Sequence, residues 1–179
     1  MSLLIKRTPL FQPSSSLHKP LRFSHQVSLG PGTPPLTLVT GHMARLADGA
    51  AEVRLGNTSV LSTVCRGKQL TPGFLPLTVD YRQKAAAAGR LPANLLRREL
   101  GLSDREILTS RMIDRSVRPL AAQGWGEEVG VTCNLLAVDS YHDPDVLAIN
   151  SSSLALQISS LPWSQAVGAV RVGYINGKF

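Results

Sequence analysis

The sequence predicts an α+β fold, a mixed β-sheet packed against helices, on three observations. Short runs rich in β-branched residues open the chain and are separated by turn dipeptides. A helix signal, a strand signal, a second helix signal and a final strand signal then follow in that order. The composition, 43% apolar and 17% charged, supplies a core and carries too little charge for a disordered chain. A meander followed by such an alternation buries its apolar sheet face under the helices.

Residues 1–27 contain Ser2, Ser14, Ser15, Ser16 and Ser24, scattered basic residues and no acid. That is the composition of an organellar transit peptide, with a merely disordered basic tail as the alternative. Residues 28–35 carry Gly30, Pro31, Gly32, Pro34 and Pro35 and read as a linker, so order is expected from Leu36 and one domain over 36–179. Leu36–Thr40, Ala51–Leu55 and Thr58–Cys65 alternate as strands, with turns at Asp48-Gly49 and Gly56-Asn57. Gly73–Val79 adds an apolar run, and Gln83–Pro92, rich in Ala and Gly, reads as loop.

The clearest helix starts at Ser103. Ser103 and Glu106 form an S-x-x-E capping box, and the helix must stop before Pro119. Glu127–Asp139 alternates through Val129, Val131, Cys133 and Leu135 as a strand. A second helix has Asp143 as N-cap, Pro144 at its first position and an apolar face from Val146 to Ile158. Val167–Ile175 reads as a strand ending in Asn176-Gly177, a type I′ hairpin signal. The return strand would start at Lys178-Phe179, where the chain stops. This incomplete last hairpin suggests a truncated or alternatively spliced product, against the alternative of a short disordered C-terminus.

The net charge of +7 is concentrated in the leader. Without residues 1–25 the balance is 15 basic against 12 acidic side chains. The remaining excess is local, with nine Arg or Lys against four acids over residues 82–118. No apolar run approaches the roughly 18 residues a membrane span needs, so no membrane span is expected. Cys65 and Cys133 lie in strand-like runs with no C-x-x-C or Cys/His cluster, and are expected as two buried free thiols.

Leu95, Leu96, Arg97 and Arg98 follow a Gly/Pro loop and precede a helix start. Two guanidiniums on a loop can grip phosphate oxygens through paired N–H bonds, and the leucines can pack on nucleobases. Single-stranded RNA is the favoured partner for this pair. Arg111, Arg115 and Arg118 fall within a helical stripe about 60° wide. With apolar residues around the rest of the helix, it is expected to be largely buried. These three and Arg90 can serve RNA or an ion-pair network, the network being favoured for Arg115 and Arg118. Asp143 and Asp145 resemble a carboxylate pair but read first as helix initiation. His18, His25, His42 and His142 show no ligand spacing, no metal site is expected, and no complete catalytic set is present.

The passage Gly73–Arg90, then Leu95-Leu96-Arg97-Arg98-Glu99, then Glu106–Leu120, resembles the first RNase PH-type domain of the polynucleotide phosphorylase (polyribonucleotide nucleotidyltransferase) family. Asp143–Asn150 and Val167–Gly173 continue the resemblance, which covers about residues 36–179. The fold it implies is RNase PH-like, also called ribosomal protein S5 domain 2-like. The function it implies is phosphate-dependent 3′→5′ exoribonucleolysis in RNA degradation and processing, within a trimeric ring (a homotrimer) around an RNA channel. Mg and inorganic phosphate are implied, but in this family their ligands and the catalytic acid lie in a second RNase PH domain. No catalytic residue is therefore expected in this chain, and the alternative reading is a non-catalytic RNA-binding or ring-forming truncated product. The family's channel loop, aromatic-Arg-Arg, corresponds to Arg97 and Arg98. Here Leu95 and Leu96 stand where the family has aromatics, and Ala121-Ala122 where it has an aromatic and a proline. Second RNase PH, KH and S1 domains are absent from the 179 residues. The wording Leu-Pro-Ala-Asn-Leu-Leu-Arg-Arg is similar to animal mitochondrial members. With the leader, it points to mitochondria (matrix or intermembrane space), the cytoplasm being the second choice.

Overall fold

The computed structural model describes residues 22–177 except Pro31, Thr71, Pro72, Asn94, Arg97 and Gln123. Six strands form one sheet: β1 (Phe23–Val27), β2 (Leu36–Thr40), β3 (Gly49–Leu55), β4 (Thr58–Leu70), β5 (Leu77–Arg82) and β6 (Glu127–Ala137). Their spatial order is β1-β2-β3-β4-β6-β5. Every pair is antiparallel except β5 with β6. The parallel pair needs a crossover, and α1 (Asp104–Val117) supplies it. Helix α2 (Pro144–Ile158) follows β6 and packs on β3 and β4, while α1 packs on β5 and touches α2.

Alternation decides which sheet face is covered. Thr58, Val60, Ser62 and Val64 of β4 and Val129, Val131, Cys133 and Leu135 of β6 are buried, and they meet Leu147, Ala148, Ala155 and Leu156 of α2. Serines line part of this contact. The Cys133 thiol lies 3.2 Å from Ser62 Oγ and 3.0 Å from Ser152 Oγ. Burial pushes its pKa up, although both serine hydroxyls act in the opposite direction.

The expected meander is present, but the turn expected at Asp48-Gly49 falls at Arg45-Leu46, and Gly49 is already the first residue of β3. Gly56, with φ of 58°, makes the β3–β4 turn. Four further expectations need correction. Order does not begin at Leu36, because β1 pairs along β2 from Phe23↔Thr40 to Val27↔Leu36. All five β1 side chains are exposed, so it has no burial pattern to read. Cys65 is exposed and only Cys133 is buried. Helix α1 is half buried rather than largely buried: Glu106, Thr109, Ile113 and Val117 face inward, while Ile107, Leu108 and Met112 are exposed. Finally, the Val167–Ile175 segment does not form a strand and makes a single isolated bridge, at Ile175. Its backbone is held by α2 side chains instead, through Ser153 Oγ to Val167 N–H and Asn150 to Ala169. Asn176 and Gly177 do adopt the positive φ values, 50° and 79°, of a type I′ turn. Lys178 and Phe179, the expected return, lie outside the described residues, as does residues 1–21 of the leader.

Candidate nucleic-acid interface

The basic stretch leaves the sheet at the end of β5. After Gln83 the chain makes a single 3₁₀ turn, Ala85–Ala88, and reverses at Gly89 with φ of 67°. It runs through residues 90–102 and enters α1 at its N-cap, Ser103. The capping box forms as the sequence predicts, with Ser103 Oγ accepting the Glu106 N–H at 3.3 Å.

Glu106 does more than cap. Its side chain is nearly enclosed, with the residue 7% exposed. Oε2 accepts the Ser103 N–H at 2.7 Å and the Ser103 hydroxyl at 2.9 Å. Oε1 accepts the Gln83 N–H at 2.7 Å. Burial pushes the Glu106 pKa up, but the Ser103 and Gln83 N–H donors, the Ser103 hydroxyl and the charge of Arg82 outweigh it and hold it below the usual value. Within the loop, Glu99 Oε1 accepts the Ala85 N–H at 2.8 Å. The loop is thus tied at its start, at its end and across its base, and the Val138 N–H holds the Ala87 carbonyl at 3.0 Å.

Between these ties the side chains project outward. Leu95 is 99% exposed and Leu96 67% exposed. Arg90 and Arg98 are exposed as well, while Arg97 lies outside the described residues. A cleft of about 360 Å³ runs beside the loop, lined by Arg82, Lys84 and Arg98 together with Glu99 and Glu106. Both acids accept backbone N–H bonds there, so the cleft lining carries three cations and two carboxylates.

The helical arginines divide. Arg118 is structural: Nε and Nη2 bond Asp114 at 2.9 and 2.6 Å. Nη1 donates to the Leu75 carbonyl at 3.1 Å and Nη2 to that of Leu77 at 3.0 Å, fastening the end of α1 to the start of β5. Arg111 and Arg115 are exposed, and no ion pair or hydrogen bond of their guanidiniums is formed among the described residues. The expectation of a narrow exit from a buried helix is therefore corrected for these two.

Asp143 occupies the N-cap of α2 without a side-chain capping bond. It pairs instead with Arg171 and, at 3.9 Å, with Arg105. Asp145 lies 3.4 Å from Arg105 and 3.6 Å from Arg171. Two guanidiniums stand where a cation would have to approach, so this carboxylate pair does not fit a metal ion. Among the described residues no group of three or more His, Cys, Asp or Glu side chains could hold one. His142 Nδ1 lies 2.8 Å from Asp139 Oδ2. Asp139 also accepts the N–H groups of Asn57, Tyr141 and His142, which ties the β3–β4 turn to the β6–α2 loop.

Sequence reasoning missed the Gln83–Glu106 bond and the Arg105–Asp143–Asp145–Arg171 cluster. Glu106 advertised only its local partner at i−3. The other partners are 23 to 40 residues away, and no local signal points to them.

Residues 34–162 match the RNase PH family (3′ exoribonuclease family, domain 1). A polyribonucleotide nucleotidyltransferase of Akkermansia muciniphila is 47% identical over 157 residues, covering 87% of this chain and 22% of the relative. One of Rhodopseudomonas palustris strain TIE-1 has the same identity and coverage. The chain thus spans about a fifth of the length of these curated relatives. Among solved structures, an Archaeoglobus fulgidus exosome with RNA bound to the active site superposes with a TM-score of 0.56 at 19% identity, over 73% of this chain and 53% of the other. Rice (Oryza sativa) Rrp46 gives 0.55 at 17% identity, over 73% and 57%. These two likenesses bear on the fold, an α+β sheet under two helices, and agree with the sequence match: the chain belongs to the RNase PH family of 3′ exoribonuclease domains.

Proposed function

We propose that this chain is the first RNase PH-type domain of a polyribonucleotide nucleotidyltransferase. In that setting it grips single-stranded RNA and helps build a homotrimeric ring for phosphate-dependent 3′→5′ degradation. The observation that carries the RNA reading is the outward loop bearing Leu95, Leu96 and Arg98, beside a cleft with Arg82 and Lys84. Arg97 joins it on the sequence, and Arg90, Arg111 and Arg115 extend the exposed cationic surface. Charge of one sign on a loop and a helix face suits a backbone that carries a phosphate at every nucleotide. The nucleotidyltransferase relatives at 47% identity support the reaction class.

By itself the chain is read as a binding module rather than a turnover unit. Its paired carboxylates, Asp143 and Asp145, are engaged by Arg105 and Arg171. Mg and inorganic phosphate act at ligands supplied elsewhere in the full enzyme. Purified chain given RNA, phosphate and Mg²⁺ is expected to bind the RNA and release no nucleoside diphosphate above background. Dose-dependent release that stops on mutating a residue of this chain contradicts the module reading, and absence of RNA binding contradicts the RNA reading. The serine-rich basic leader supports a mitochondrial destination. Residues 1–35 fused to a fluorescent reporter test that, with diffuse cytosolic signal counting against it.

A further inference from the structure

The geometry points to Glu106 as the positioning residue of the RNA-gripping loop: one buried carboxylate holds both ends of the chain segment that carries Leu95 to Arg98. The inference rests on the RNA reading for its functional consequence and on the structure for the clamp. Oε1 takes the Gln83 N–H, the last backbone donor before the loop, and Oε2 takes the Ser103 N–H, the first donor after it, each at 2.7 Å. The two anchors are thus fixed relative to each other through a single rigid group on α1. That helix is in turn fixed to β5, since Ser110 Oγ accepts the Tyr81 N–H at 2.9 Å and donates to the Glu106 carbonyl at 2.8 Å. A segment of nineteen residues with most side chains in solvent has little packing of its own. Its first part is fixed by the 3₁₀ turn, whose Ala87 carbonyl accepts the Val138 N–H at 3.0 Å, and the stretch beyond Gly89 depends on the Ser103 end point and the Glu99–Ala85 tie. Only a carboxylate can serve here, because two acceptor oxygens face two backbone donors. An amide would turn its NH₂ toward one of them.

The test compares Glu106→Gln, Glu106→Ala and Ser103→Ala in the full 179-residue chain. Ser103→Ala removes the helix-capping oxygen and its hydroxyl bond to Oε2 but leaves both backbone N–H bonds to Glu106, so it controls for loss of the cap. Limited trypsin digestion at a temperature well below each variant's melting point reads the loop through cleavage after Arg90 and Arg98. Fluorescence anisotropy with a short RNA reads binding. Both Glu106 variants should raise loop cleavage several-fold over Ser103→Ala and weaken RNA binding about three- to tenfold. In an Arg98→Ala background the same Glu106 changes should weaken binding far less. Unaltered cleavage in Glu106→Gln overturns the clamp. A binding loss of equal size with and without Arg98 also overturns the positioning role, since Glu106 then acts elsewhere. Should Arg98→Ala alone keep parental binding, the RNA reading fails separately, and the clamp stands or falls on the cleavage result.

Discussion

Asn150 holds Ala169 by both sides of its backbone: Nδ2 donates to the Ala169 carbonyl at 2.9 Å and Oδ1 accepts the Ala169 N–H at 2.8 Å. A side-chain amide here takes the place of a neighbouring strand at Ala169. With Ser153 Oγ on Val167 and Arg171 on the Asp143–Asp145 pair, α2 and its N-cap hold residues 167–171. Asn150→Ala removes a donor and an acceptor at once. It should destabilise the fold by about 1–3 kcal/mol and expose the amides of residues 167–171 to rapid hydrogen exchange. Asn150→Asp keeps the acceptor and should leave Ala169 N–H protected while losing the carbonyl bond. Unchanged exchange in Asn150→Ala would mean that the segment is held by something else.

Arg118 and its neighbours on α1 should separate cleanly by substitution. Arg118 joins Asp114 to two β5-side carbonyls, and Arg118→Ala removes all of these bonds, although the Leu75 carbonyl keeps the Leu77 N–H at 2.9 Å. A loss of about 2–3 kcal/mol in urea unfolding is expected, with little direct effect on RNA affinity. Arg111→Ala and Arg115→Ala change exposed residues and should stay within about 0.5 kcal/mol of the parent. Their effect should be on RNA binding alone. A stability loss at Arg111 matching that at Arg118 would restore the buried-helix expectation.

The contrast between those arginines shows what the sequence could tell. The capping box at Ser103 and Glu106, the Gly56-Asn57 turn and the strand alternation in β4 and β6 are local patterns, and each is found where it was expected. Pairing is not local. Phe23–Val27 has no apolar alternation and becomes a strand only because β2 lies beside it. Val167–Ile175 has strand composition, yet α2 meets its backbone first. Helix α1 has apolar residues on every side, so periodicity could not reveal that Ile107, Leu108 and Met112 face solvent. The exposed loop was legible from its Gly/Pro/Arg wording. The group that anchors it was not, because Gln83 and Glu106 meet only after β5 and α1 have packed.

Acid should loosen the loop before it unfolds the core. The Glu106 carboxyl is held below its ordinary value of 4.5 in the folded chain. A depressed carboxylate contributes its full stabilisation above the unfolded value, and loses it as pH falls through the folded value. The melting-temperature difference between parent and Glu106→Gln should therefore be constant above about pH 5.5 and shrink as pH drops below about 4.5. Asp139, held low by its His142 and backbone N–H partners against its own desolvation, adds a second loss further into acid. A difference that stays constant down to pH 3 would show that the Glu106 charge contributes nothing.

Restoring rings to the loop tests the apolar half of the grip. Leu95 and Leu96 offer exposed side chains but no π-face on which a base can stack. Leu95→Phe and Leu96→Phe should each tighten binding to single-stranded RNA, by up to about 1–3 kcal/mol per stacked base, with little preference among sequences. Isothermal calorimetry with homopolymeric oligonucleotides reads this. Equal affinity for parent and variants would place the bases away from these two positions.

The central claim, that the Arg97–Arg98 loop grips RNA phosphates, meets its most direct test in one salt titration. Anisotropy of a short labelled RNA is followed from low to high salt with the parent chain and with Arg97→Ala/Arg98→Ala. If each guanidinium neutralises one phosphate, the double variant should bind more weakly across all sequences. The slope of log affinity against log salt should also fall by about 1.4, roughly 0.7 per contact. Parental affinity and slope in the double variant would contradict the claim and remove the loop from the RNA path.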